Sequence, residues 1–175
     1  ENFRFAYNPM IELVSSFKLL NDPSRWGMFM PWVDEALRAL DSISLPYMRA
    51  VILTSTRTAD FVTQTPARSG VTFDAAIAQI RNTPAELIRD HAQCIIEEDD
   101  DSEIHHHFRA YPADAVECLI TEMTLYWERT LAQHWPRIQT VLENDILYRA
   151  REMALQGVDN MFTNLNPMMQ YLAGQ

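Results

Sequence analysis

Apolar residues recur at three- and four-residue spacing over most of the chain, the period of helices with one buried face. In the first stripe Met10, Leu13, Val14, Phe17 and Leu20 line up behind Asn8 as an N-cap and Pro9 at the first helical position, where a missing N–H is harmless. Asn21, Asp22 and Pro23 close that helix. From 23 to 40 the pattern is aromatic-rich (Trp26, Met28, Phe29, Trp32, Val33, Leu37, Leu40) and is interrupted by Gly27 and Pro31, which predicts a short helix and then a longer one. The run LPYMRAVIL, 45 to 53, fits either a helix or an extended piece.

Residues 54 to 70 are rich in Thr and Ser, follow no period and hold Phe61 and Val62 in their middle, so they read as the longest loop, of the kind that often carries function. Two helices are expected next, over 74 to 82 and from 84 to about 98, split at Thr83-Pro84. Between 113 and 131 a strong stripe of Val116, Leu119, Ile120, Met123, Trp127 and Leu131 predicts a long amphipathic helix. Beyond Pro136, Ile138, Leu142, Ile146, Arg149 and Met153 share a face, and Gly157 suits a left-handed C-cap. A helix over about 135 to 156 would be roughly 30 Å long and is expected to be the spine of the fold. Just before it, Trp135 should be pushed towards an extended conformation by Pro136, a structural rather than functional feature.

Composition strengthens the helical reading. Only four glycines occur in 175 residues, and 47% of the chain is apolar, enough for one packed all-α domain spanning 1–175. No apolar run approaches the roughly 20 residues of a membrane span, so a cytoplasmic protein is expected. Cys94 and Cys118 form no CxxC or CxC pair and read as ordinary thiols. The net charge is −10, of which the run Glu97, Glu98, Asp99, Asp100, Asp101 and Glu103 supplies six negatives. Lys18 is the single lysine and no basic patch occurs, so this chain alone should not grip a phosphate backbone.

That acidic run precedes His105, His106 and His107. Adjacent residues on a helix point about 100° apart, so the triplet cannot converge on one ion without irregular backbone. A better metal set would join His91 and Cys94, at i and i+3, to His105 or His107 and a carboxylate. The plainer reading, a solvated loop of acids and histidines between helices, is preferred. Catalysis has less support: there is no GxSxG elbow, no HExxH and no glycine-rich phosphate loop, and neither an enzyme nor a cofactor is expected. The large adaptable side chains suggest a ligand cavity instead, walled by Trp26, Phe29, Trp32, Phe61 and Trp127, with Arg25 or Tyr47 orienting the ligand. The competing reading is that these aromatics are simply core.

The stretch YWERTLAQHWPRIQTVLENDILYRAREMALQGVDNMFTNL, 126 to 165, resembles the N-terminal helical domain of a group of ArsR-like bacterial transcriptional regulators. The resemblance extends to RFAYNPMIELVSSFKLLNDPSRWGMFMPWV, 4 to 33, and to TADFVTQTP, 58 to 66, with Phe61 as its anchor. It implies a regulatory domain followed by a winged helix-turn-helix beyond Gln175, which would make this chain a piece of a longer protein and confine DNA contact to the missing module. Metal sensors of the wider ArsR group use a cysteine pair within the winged helix, and no CxC pair occurs here; the acids and histidines look like a local insertion. Three functions follow as expectations: a sensor domain binding a small apolar or amphipathic effector between helices, a ligand-free homodimerisation or scaffold domain, and, least favoured, a metal-responsive domain using His91, Cys94, His105 and His107.

Overall fold

A computed structural model of the chain describes residues 6–52, 58–64, 70–96 and 103–157, with the side chains of 25, 92–96 and 156 outside that set. Eight α-helices account for most of the described residues: α1 Pro9–Leu20, α2 Met30–Ala39, α3 Pro46–Val51, α4 Phe73–Arg81, α5 Ala85–Ile96, α6 Glu103–Ala110, α7 Pro112–Thr130 and α8 Trp135–Gln156. The fold is all-α. None of these helices is long and apolar enough to cross a membrane.

α1 starts as the sequence predicts. The Asn8 side chain accepts the Met10 N–H at 3.0 Å, and Met10, Leu13, Val14, Phe17 and Leu20 are buried. Asn8 also donates from Nδ2 to the Gln64 carbonyl at 3.0 Å, tying the cap to the turn at 58–64. That turn lies in the middle of the expected loop, but Ala59, Phe61 and Val62 are buried. Gln64 fastens it: its Nε2 donates to the Phe61 carbonyl and to Thr83 Oγ1, and Gln79 donates to Gln64 Oε1. The ambiguous stretch at 45–53 resolves into α3, after which Ile52 makes an isolated antiparallel bridge to Thr58.

Packing centres on α7, which lies against α2, α3, α4, α5 and α6 and buries Ala115, Val116, Leu119, Ile120, Met123, Tyr126 and Trp127. The long helix expected over 135 to 156 forms as α8, but it is not the centre of the packing: Val141, Leu147, Tyr148 and Leu155 stand exposed along it. An apolar stripe broken by Asp145, Arg149 and Glu152 cannot be enclosed on all sides. Trp135 is the first residue of α8 rather than extended, because Pro136 in the first turn has no N–H for the helix to miss. Gly157 follows with φ 82° and ψ 165°, a positive-φ conformation beyond the left-handed helical basin that suits glycine alone, and its N–H still reaches the Met153 carbonyl at 3.0 Å.

The histidine segment differs most from expectation. Residues 103–110 form a helix rather than a solvated loop, with His105 and Phe108 buried and His106 exposed. His105 and Phe108 are three residues apart and so share a face, and Pro112 starts α7 immediately afterwards. Residues 97–102, the bulk of the acidic run, lie outside the described residues.

Candidate functional site

α7 hands over to α8 at a corner, Leu131 to His134, and a cavity of about 570 Å3 opens beside it. One wall is α1, presenting Glu12, Ser16, Lys18 and Leu19; Phe29 and Trp32 come from the start of α2; Leu131, His134 and Ile138 form the floor. Proline at the second position of α2 and the preceding short turn at Gly27–Phe29 set the two aromatics at the helix start, where Phe29 remains 47% exposed. Trp32 is held in place by its indole N–H, which donates to the Thr130 carbonyl at 3.2 Å.

The polar groups of this cavity are spaced around an apolar interior. Ser16 Oγ donates to the Leu13 carbonyl at 2.8 Å and lies 2.9 Å from the Tyr126 hydroxyl, which leaves Tyr126 as the donor of that pair. Burial raises the Tyr126 phenol far above its ordinary range. Burial also pushes the Glu12 carboxyl up and pulls the Lys18 ammonium down, since each charge loses hydration. His134 brings Nε2 to 3.4 Å from Glu35 Oε1, outside hydrogen-bond geometry, while Gln133 donates to the same oxygen at 2.5 Å. An acid, a base and a hydroxyl around aromatic walls suit an amphipathic molecule.

The six aromatics expected to share one cavity are divided. Phe29 and Trp32 do line it. Trp26 packs beside it, donating its indole N–H to the Leu19 carbonyl at 2.9 Å and so closing the end of α1. Trp127 faces a separate cleft across the corner, stacked on Phe73 with centroids 4.5 Å apart. Phe61 is 1% exposed, stacked on His91 at 6.0 Å and tilted against Phe108 at 6.4 Å, a core residue rather than a wall. Tyr47 lies between α3 and α6, its hydroxyl 2.8 Å from His107 Nδ1, and burial followed by the neighbouring Cys118 thiol raises its phenol. The side chain of Arg25 lies outside the described residues.

The histidines are likewise separated. His91 Nδ1 accepts the Phe61 N–H at 3.2 Å, His105 Nε2 lies 3.4 Å from the Ala50 carbonyl, and His107 meets Tyr47. The Cys94 side chain is outside the described residues, and among those described no three His, Cys, Asp or Glu side chains are grouped to hold a metal ion. Glu12, Lys18 and His134 were not anticipated, because α1 and the corner are brought together only by tertiary packing. No family model, curated protein or solved structure matches this chain.

Proposed function

We propose that this chain is the regulatory domain of an ArsR-like transcriptional regulator, and that it takes a small amphipathic effector into the cavity between α1, α2 and the α7–α8 corner. The observation that carries this reading is the cavity floor: His134 and Ile138 flank the first turn of α8, so an occupant bears directly on that helix. An effector that binds one setting of α8 better than another shifts the balance between them by its difference in affinity. The resemblance at 126 to 165 covers this corner and the whole of α8.

Titration with Nile red, a neutral dye whose emission shifts blue in apolar surroundings, tests the site. Saturable binding is expected, with a loss of at least about tenfold in affinity for Phe29→Ala combined with Trp32→Ala, equivalent to about 1.4 kcal/mol. Since both side chains are partly exposed, the variant should keep its helical circular dichroism. Equal dye binding by wild type and variant would end the assignment. For any effector found this way, a concentration of 100 times its dissociation constant should add about 2.7 kcal/mol to unfolding stability.

A homodimer through α8 is a second reading, favoured by Val141, Tyr148 and Leu155, which recur every seven residues along the exposed face of that helix. That interval keeps residues in line between paired helices. Sedimentation should show a dimer that Tyr148→Glu converts to monomer; a monomeric wild type removes this reading and leaves the effector site untouched.

A further inference from the structure

On the other side of the α7–α8 corner a second cleft, of about 490 Å3, lies between the segment before α1, the start of α4 and the end of α7. Four aromatic rings form one connected set there. Phe73 stacks on Trp127 at 4.5 Å with 11° between planes, Trp127 meets Trp135 at 5.1 Å and 60°, and Tyr7 meets Trp135 at 6.2 Å and 56°. Trp127 and Tyr7 are largely covered, while Phe73 and Trp135 keep part of their surface open. Two carboxylates, Asp74 and Glu128, line the same cleft, and among the described residues no Lys, Arg or His does.

We propose that this cleft binds an organic cation of the quaternary ammonium class. Aromatic faces carry the negative part of the ring quadrupole and attract a cation placed over them, tryptophan most strongly. Carboxylates at the edge add direct attraction, and the net charge of −10 biases the chain as a whole against anions. The helix starts in the cleft do not make it an anion cradle. The Thr72 hydroxyl already takes the Ala75 N–H at 3.2 Å, Pro136 has no N–H to offer, and Asp74 sets a full negative charge in the first turn of α4. A quaternary ammonium forms no N–H hydrogen bonds and is weakly hydrated, so it can lose water against Phe73 and Trp135 where a metal ion would not.

The test is calorimetric titration of the whole chain with benzyltrimethylammonium, beside its neutral isostere neopentylbenzene. Saturable binding of the cation is expected, at least tenfold tighter than that of the isostere. Asp74→Asn with Glu128→Gln, both at exposed positions, should weaken it by at least tenfold without changing the melting profile, and Trp135→Leu should weaken it further than Trp135→Phe. Equal affinity for the neutral isostere, indifference to the carboxylate changes, or no binding at all would each overturn the proposal.

Discussion

Truncating Phe61 to alanine is expected to remove about 3–5 kcal/mol of unfolding stability, the range for a buried phenylalanine whose space cannot refill. The ring is 1% exposed and has His91 on one face and Phe108 beside it, so its loss opens a cavity where α5, α6 and the 58–64 turn meet. Those neighbours are held by other bonds: His91 Nδ1 still takes the Phe61 N–H, and Gln64 still clamps the Phe61 carbonyl. They are poorly placed to collapse inwards, which argues for the upper part of the range. Domains of this kind keep only about 5–15 kcal/mol in total, so the variant should be partly unfolded at moderate temperature. Urea unfolding would show a lowered midpoint at an unchanged slope. A loss below about 1.5 kcal/mol would mean that Phe61 is less deeply locked than its contacts indicate. Trp32→Ala should behave in the opposite way, weakening ligand binding at small cost in stability, although sequence reasoning assigned both residues to one wall.

The second large effect is expected at Glu122. α3 begins at Pro46 with no side-chain cap from Leu45, and the Glu122 carboxylate of α7 serves instead, accepting the Met48 N–H at 2.8 Å. A carboxylate at a helix start also meets the positive end of the helix dipole. Glu122→Ala leaves donors at a half-buried helix start unpaired and should cost about 1–3 kcal/mol. Glu122→Gln keeps an acceptor and should cost far less. The pH dependence separates the two contributions. Burial raises the Glu122 carboxyl above its ordinary value in the folded chain, outweighing the backbone hydrogen bonds that lower it. The folded state therefore holds the proton more tightly than the unfolded chain. The stability linked to that proton is complete below the ordinary carboxylate range and is lost as pH rises through the folded value. The Gln variant should consequently gain on wild type as pH rises above the ordinary carboxylate range, near 4.3 when unperturbed. A wild type that gained on the Gln variant over that rise would show that the helix-capping charge, not its burial, dominates.

Both effects depend on contacts between segments far apart in the chain, and so does the candidate effector cavity. There the start of α2 is joined to the end of α7 by the Trp32–Thr130 hydrogen bond, 98 residues apart in sequence. The aromatic cleft on the opposite side shares the α7–α8 corner, through Ala132, Trp135 and Pro136. An occupant of either would therefore press on the same few residues at the base of α8.

The helices themselves were mostly legible because their signals are local. Asn8 and Pro9 start α1, the Val116 to Leu131 stripe marks the buried face of α7, and the span of α8 follows from its repeat and Gly157. α6 was missed because its buried face includes His105, a residue whose polarity hides the three-residue spacing to Phe108. Periodicity shows which face of a helix is buried, but it does not say against what. Trp32 and Phe61 belong to the same residue class and both lie in apolar patterns, yet one lines a cavity and the other fills the core. Likewise Glu122 caps a helix 74 residues away. The sequence by itself determined that this chain is all-α and where most helices begin and end, because capping and the 3.6-residue repeat act within a few residues. Only the tertiary structure decided which aromatics face a cavity, which helix is central and which charges are desolvated, because those depend on how the helices cross.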